Sequence, residues 1–170
     1  MALPACRGGC PEYDCGTGMI RLVLLDIDGV LTDGRVTVDS RGNEYKTIDF
    51  KDIDAVFEMK RRKLLVGLIT GEATPITLFF RDRFKPDFFY NGCKDKPEAL
   101  REILEKTGLT AAETCYMGDG KYDIPVMKLV KYSVCPANAI PEVKALAGWK
   151  LESRGGEGAV WELLERILEE

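Results

Sequence analysis

Two aspartates, Asp26 and Asp28, stand two residues apart where the apolar run Ile20 to Leu25 ends. Gly29 follows at once, and a second turn signal, Thr32-Asp33-Gly34, comes soon after. A buried strand that ends in paired carboxylates is a poor core element and a good reactive edge, because open α/β sheets gather ligands at the carboxyl ends of their strands. The chemistry predicted is attack on phosphorus by Asp26, with Asp28 handling the proton. The chain contains no histidine. That removes Ser-His-Asp triads, Cys-His dyads and His-ligated zinc, and leaves proton transfer to carboxylates, Lys, Tyr or Cys. Any metal site must use oxygen or thiolate ligands, which favours a hard cation such as magnesium held by aspartates.

Other reactive residues recur at the ends of later apolar runs. Thr70-Gly71-Glu72 follows Leu64 to Ile69, Lys96 sits in a polar loop, and Asp119 and Asp123 follow Thr114 to Met117. If these runs are parallel strands, all their C-termini point one way and the side chains converge on one crevice. Carboxylate attack on a phosphate is opposed by repulsion of about 4 kcal/mol for unit charges ~4 Å apart at an effective dielectric of 20. A magnesium ion bound by carboxylates and phosphate relieves it. Lys96 would neutralise a further phosphate oxygen, and Thr70 with the Gly71 N–H would donate hydrogen bonds.

The elements that must position these groups alternate between strand and helix signals, which predicts an α/β domain with a mainly parallel sheet. Arg35 to Val38 and Glu44 to Asp49 read as a β-hairpin around Ser40-Arg41-Gly42-Asn43. Helices are predicted over Lys51 to Arg62 with Asp52 as N-cap, Thr74 to Phe84, Pro97 to Lys106, Tyr122 to Val130 and Ile140 to Leu146, with a last one to Leu168. Strands are predicted at Phe88 to Tyr90, Tyr132 to Val134 and near Trp149. Between Asp28 and Thr70 there is room for a hairpin and one helix, and between Thr70 and Lys96 for a helix and a short strand. Neither interval holds a cap domain.

Composition bounds the rest. At 170 residues and 45% hydrophobic, the chain can build one sizeable core, and its net charge of −4 argues against nucleic acid or an anionic membrane as partner. No apolar run reaches the ~18 residues that span a bilayer, and the N-terminus lacks a signal-peptide pattern, so a cytoplasmic protein is expected. Residues 1–18 are rich in Gly, Pro and Cys without periodicity. They are expected to form a tail outside a domain at 19–170, and the spacing of Cys6, Cys10 and Cys15 matches no metal pattern.

The stretches DIDGVLTDG at 26–34, ITG at 69–71, the second lysine of KDK at 94–96 and GDGKYD at 118–123 resemble, in order, the four motifs of haloacid dehalogenase-type phosphatases. GVLTDG, the K-x-x-D-F-type segment Lys46 to Phe50 and the late RGGEG at 154–158 are similar to the small sugar-acid branch. Its members act on 3-deoxy-manno-octulosonate (KDO) 8-phosphate or nonulosonate (KDN, N-acylneuraminate) 9-phosphates. The resemblance covers 19–169. It implies a Rossmannoid three-layer α/β/α sandwich with a β-hairpin flap and no cap. It implies Asp26 as nucleophile, Asp28 as acid/base, and Thr70 and Lys96 as phosphate ligands. Mg2+ would be held by Asp26, the Asp28 carbonyl and Asp119, with Asp123 partnering Lys96. The family usually has a second Asp where this chain has Gly120, which weakens the expected metal environment.

The resemblance further implies a homotetramer in which hairpins pack in a ring and the RGGEG segment reaches a neighbouring site. Gly71, Glu72, Arg83, Arg154, Gly155 and Gly156 are then candidate substrate contacts. Glu72 favours a nine-carbon sugar over an eight-carbon one, where Arg would be expected. The competing expectation is a catalytically silent oligomerisation module associated with CMP-sugar-acid synthesis.

Overall fold

The run Leu22–Leu25 is a fully buried strand, β1, at the centre of a computed structural model that describes residues 19–170. The expected tail, 1–18, with Cys6, Cys10 and Cys15, lies outside the described residues. Along the chain follow β2 (Thr37–Val38), β3 (Glu44–Tyr45), α1 (Phe50–Arg61), β4 (Leu65–Ile69), α2 (Pro75–Phe84), β5 (Phe88–Tyr90) and α3 (Lys96–Thr107). Next come β6 (Thr114–Met117), α4 (Ile124–Met127), β7 (Tyr132–Cys135), α5 (Pro141–Leu146), β8 (Trp149–Lys150) and α6 (Ala159–Glu169). Six strands form one sheet in the order β5-β4-β1-β6-β7-β8, and every pairing in it is parallel.

A strand buried on both faces must be apolar throughout, and β1 is. Val23 and Leu25 face one core with Ile53, Val56 and Met59 of α1, Phe80 and Phe84 of α2, and Leu163 of α6. Leu22 and Leu24 face the other, with Leu100 and Ile103 of α3, Met127 of α4 and Val143 of α5. This is the expected three-layer α/β/α sandwich. Between Asp28 and Thr70 the chain forms the β2–β3 hairpin and α1, and between Thr70 and Lys96 it forms α2 and β5.

Local differences have physical causes. The hairpin is narrower than the predicted Arg35–Val38 and Glu44–Asp49, with two exposed residues per strand. Its turn is organised by Asp39, whose carboxylate accepts from the Arg41 and Asn43 N–H groups, the Asn43 amide and the Tyr45 hydroxyl. A bridge between Thr32 and Ile48 ties down its base. The predicted helix Tyr122–Val130 is a 3-10 turn at Lys121–Asp123 followed by one turn of α-helix, because the Asp123 carboxylate pulls the backbone N–H groups of Asp119 and Gly120 inward.

Asp52 is not the N-cap of α1. Asp49 takes that role, accepting from the Lys51 N–H at 2.8 Å. Asp52 is buried and reaches the N-terminus of α6, where it accepts from the N–H groups of Gly158, Val160 and Trp161 at 3.2, 2.8 and 3.3 Å. The first turn of a helix leaves such donors free, so a carboxylate there satisfies three at once. Burial pushes this carboxyl up to about 6, against the pull of those three N–H groups.

Candidate active site

The register of the sheet brings the predicted residues together. Leu25 pairs with both Leu68 and Met117, so β1, β4 and β6 end side by side. Asp26, Thr70 and the Gly118–Asp119 turn therefore leave the sheet along one edge. Asp95 caps α3 by accepting from the Glu98 N–H, which places Lys96 in the first turn of that helix, pointing to the same edge. Asp26, Asp28, Thr70, Gly71, Glu72, Lys96, Asp119 and Asp123 all line one cavity of about 660 Å³. Gly34, Cys93, Lys94, Gly120 and Tyr122 complete its wall.

Lys96 is the buried cation at the floor. Its Nζ lies 3.1 Å from Asp26 Oδ1 and 2.7 Å from Asp123 Oδ1. Asp123 is fully engaged: Oδ1 also accepts from the Tyr116 hydroxyl at 2.6 Å, and Oδ2 accepts from the Asp119 and Gly120 N–H groups at 3.1 and 3.0 Å. Asp26 Oδ1 also accepts from the Ile27 N–H at 2.8 Å. All of these Asp26 contacts fall on Oδ1, which, among the described residues, leaves Oδ2 to meet a ligand. Thr70 is held by its N–H on the Tyr90 carbonyl at 2.8 Å, and its hydroxyl accepts from the Glu72 N–H at 3.2 Å.

Gly29 allows the close approach of β1 and β6 chemistry. Its φ is +81°, and a Cβ there would lie 2.0 Å from Asp119 Oδ2. No other residue type lets Asp119 sit against this turn. Oxygens of Asp26, Asp119 and Asp123 consequently lie within 4.8 Å of one another. Among the described residues Lys96 is the lysine paired within this group of three carboxylates, which therefore keeps an excess of negative charge. Burial, with Asp123 and Asp119 nearby, pushes Asp26 up to about 7, although Lys96 and the Ile27 N–H pull it back. Burial and Asp123 push Asp119 up to about 6. For Lys96, burial favours the neutral amine, but Asp26 and Asp123 overcome it and hold the group above its usual range. Hard oxygen donors with uncompensated charge are the environment that a divalent cation such as Mg2+ completes. Since the Asp123 oxygens are already taken, Asp26 and Asp119 are the carboxylates left for it.

Asp28 lines the same cavity and is held from a different side. Its Oδ1 accepts from Lys46 Nζ at 2.6 Å and from the Thr32 hydroxyl at 3.4 Å. In the sequence Lys46 stands only in the K-x-x-D-F segment, and Tyr116 lies inside the apolar run Thr114 to Met117, so neither carries a local signal for the site.

Four expected substrate contacts are not on the cavity wall. Arg83 lies on the exposed side of α2, and exposed Arg154 pairs with Glu157 at 3.6 Å. Gly155 and Gly156 pack against the backbone of the loop that follows Asp28. A Cβ on Gly155 would lie 1.9 Å from the Gly29 carbonyl oxygen, and the Gly156 N–H donates to the Val30 carbonyl at 3.0 Å. Asn138 joins the two segments by donating to the Gly29 carbonyl at 2.9 Å and accepting from the Gly155 N–H at 2.6 Å. Within one chain the RGGEG segment is thus a support for the Gly29–Asp33 turn. No local sequence signal marked Asn138.

Comparison with known proteins agrees with this geometry. A family profile of haloacid dehalogenase-like hydrolases matches residues 74–164. The 3-deoxy-D-manno-octulosonate 8-phosphate phosphatase KdsC of Escherichia coli strain B is 32% identical over 149 residues, covering 88% of this chain and 79% of that protein. KdsC of Haemophilus influenzae is 29% identical over 150 residues, covering 88% of this chain and 83% of the relative. The Moraxella catarrhalis phosphatase of the same name, solved with magnesium, phosphate and KDO, superposes with a TM-score of 0.83 at 26% identity, covering 88% of this chain and 86% of that one. The cobalt-bound enzyme of H. influenzae superposes with a TM-score of 0.84 at 29% identity, covering 89% of each chain.

Proposed function

Since the chain belongs to the haloacid dehalogenase-like hydrolases and is a phosphatase, we propose that it hydrolyses the phosphomonoester of a 2-keto-3-deoxy sugar acid through an aspartyl phosphate on Asp26. The observation that carries this reading is the convergence of Asp26, Lys96, Thr70 and Asp119 on one cavity, with one oxygen of Asp26 unengaged among the described residues.

Asp26 Oδ2 forms a bond to phosphorus as the bond to the sugar oxygen breaks, and Asp28, as the acid, gives its proton to that leaving oxygen. Water then attacks the phosphoryl group, its proton returns to Asp28, and the bond to Asp26 breaks to release inorganic phosphate. Lys96 holds the Asp26 carboxylate in place and offers positive charge to a phosphate oxygen, while Thr70 and the Gly71 N–H offer hydrogen bonds. Mg2+ bound by Asp26, Asp119 and the Asp28 carbonyl would supply the charge that lets a carboxylate approach a phosphate dianion. Asp123 acts through Lys96.

The relatives' substrate favours KDO 8-phosphate. A nine-carbon nonulosonate 9-phosphate is the second reading, favoured by Glu72, whose exposed carboxylate lines the cavity and suits sugar hydroxyls. Among the described residues no cap covers the cavity, and a homotetramer in which a neighbour covers it would exclude water from the reaction.

The test is phosphate release with Mg2+ from KDO 8-phosphate, a nonulosonate 9-phosphate and p-nitrophenyl phosphate, with Asp26→Asn alongside and gel filtration of the same preparation. Sugar-acid turnover lost in Asp26→Asn, from a species of tetramer size, is expected. Turnover that survives the substitution refutes the nucleophile, and a fully active monomer refutes the assembly. Failure on every sugar-acid phosphate favours the silent oligomerisation module.

A further inference from the structure

Lys46 follows β3 at the base of the exposed hairpin and is absent from the cavity wall, yet its side chain is only 8% exposed. A buried ammonium is costly unless paired, and the partner the structure provides is Asp28, at 2.6 Å. The Thr32 hydroxyl accepts from the Gly29 and Gly34 N–H groups, both at 3.2 Å, so its proton is free to point at the same Asp28 oxygen, 3.4 Å away. Asp28 Oδ1 is therefore gripped from two sides: by the turn that follows β1, and by the flap eighteen residues along the chain. Its other oxygen remains for the cavity, which Asp28 lines.

We propose that Lys46 is a positioning residue, which fixes the Asp28 carboxylate so that its free oxygen meets the leaving oxygen of the substrate, and which ties the hairpin flap to that proton transfer. The inference rests on the acid/base role of Asp28 proposed above. Lys46 makes no contact with substrate; it sets the direction of the group that does. Positioned proton transfer contributes about 10²–10⁴-fold, and a displacement of about 1 Å can cost 10²-fold. The effect depends on the leaving group. A sugar alkoxide needs a proton as it departs, whereas p-nitrophenolate is stable without one.

The experiment compares Lys46→Met, Lys46→Arg and Asp28→Asn on p-nitrophenyl phosphate and on whichever sugar-acid phosphate the wild type turns over faster. Lys46→Met is expected to lower kcat and the first-turnover rate on the sugar phosphate by about 10–100-fold while changing the first-turnover release of p-nitrophenol by less than about threefold. That release reports transfer to Asp26 alone, before Asp28 activates water, so it also reports that the variant is folded. Lys46→Arg should recover part of the loss. Asp28→Asn should lose steady-state turnover of both substrates, because the water step needs it in each, and should slow the first turnover of the sugar phosphate but not that of the aryl phosphate. If Lys46→Met slows both first turnovers equally, or neither, while Asp28→Asn is selective, the positioning role is overturned and the role of Asp28 stands. If Asp28→Asn slows both first turnovers alike, the acid/base assignment falls and this inference falls with it.

Discussion

Replacing Gly155 with alanine separates two roles for the RGGEG segment, substrate contact and support of the Gly29–Asp33 turn. An added Cβ would meet the Gly29 carbonyl oxygen at 1.9 Å, the Gly29 carbonyl carbon at 2.4 Å and the Thr32 carbonyl oxygen at 2.8 Å. All three are backbone atoms, so no side chain can rotate away. An ordinary contact begins near 3.4 Å, so one segment must retreat by about 1.5 Å. Overpacking of this kind costs about 1–3 kcal/mol, which lowers the melting temperature by roughly 2–12 °C in a domain of this size. The segment that moves carries the turn between Asp28 and Thr32, so kcat should fall by about 10²-fold. Gly148→Ala is the control, because a Cβ there would sit 3.6 Å from the Ser133 carbonyl, an ordinary contact. Thermal unfolding and steady-state kinetics on a sugar-acid phosphate read both effects. A Gly155→Ala protein that melts like wild type and loses only in KM would refute the support role and return Gly155 to the substrate.

The carboxylate cluster makes two further predictions. Lys96→Met strands Asp26 and Asp123 without their shared cation, which should cost about 3–5 kcal/mol and appear as a melting temperature lowered by roughly 6–20 °C at pH 8. A buried carboxyl raised above its unfolded value of 3.8 binds its proton more tightly in the folded state. Stability is therefore regained as pH falls through the folded value, so the deficit should shrink between pH 8 and 6; a deficit independent of pH refutes the pairing. The second concerns metal. With Asp26 at about 7 and Asp119 at about 6, protons compete for the two carboxylates as pH falls. Mg2+ affinity measured by isothermal titration calorimetry should then drop on the order of 20-fold from pH 8 to pH 6, with proton release on binding. Equal affinity at the two pH values refutes metal binding at this pair.

The strand-end residues were legible in the sequence because a parallel sheet converts separate positions along the chain into neighbours along one edge. Asp26, Thr70 and Asp119 needed only the apolar runs before them to be located. The residues that hold them were not legible, since their partners are chosen by packing across long separations. Asn138 and Gly29 are 109 residues apart, and Asp52 reaches the Val160 N–H across 108. A local capping rule assigned Asp52 to its own helix, whereas three unpaired N–H groups on another helix and the competing cap at Asp49 took it elsewhere. The glycines show why motif and role can part. The shared motif marks Gly155 as a substrate contact, but the need met in this chain is for backbone to touch backbone beneath the Asp28 turn. Gly29 meets a similar need on the other side of that turn, where a Cβ would strike Asp119. The reactive carboxylates are thus brought close by the absence of side chains, and substitutions at these two glycines should disturb catalysis as directly as substitutions of the charged groups they position.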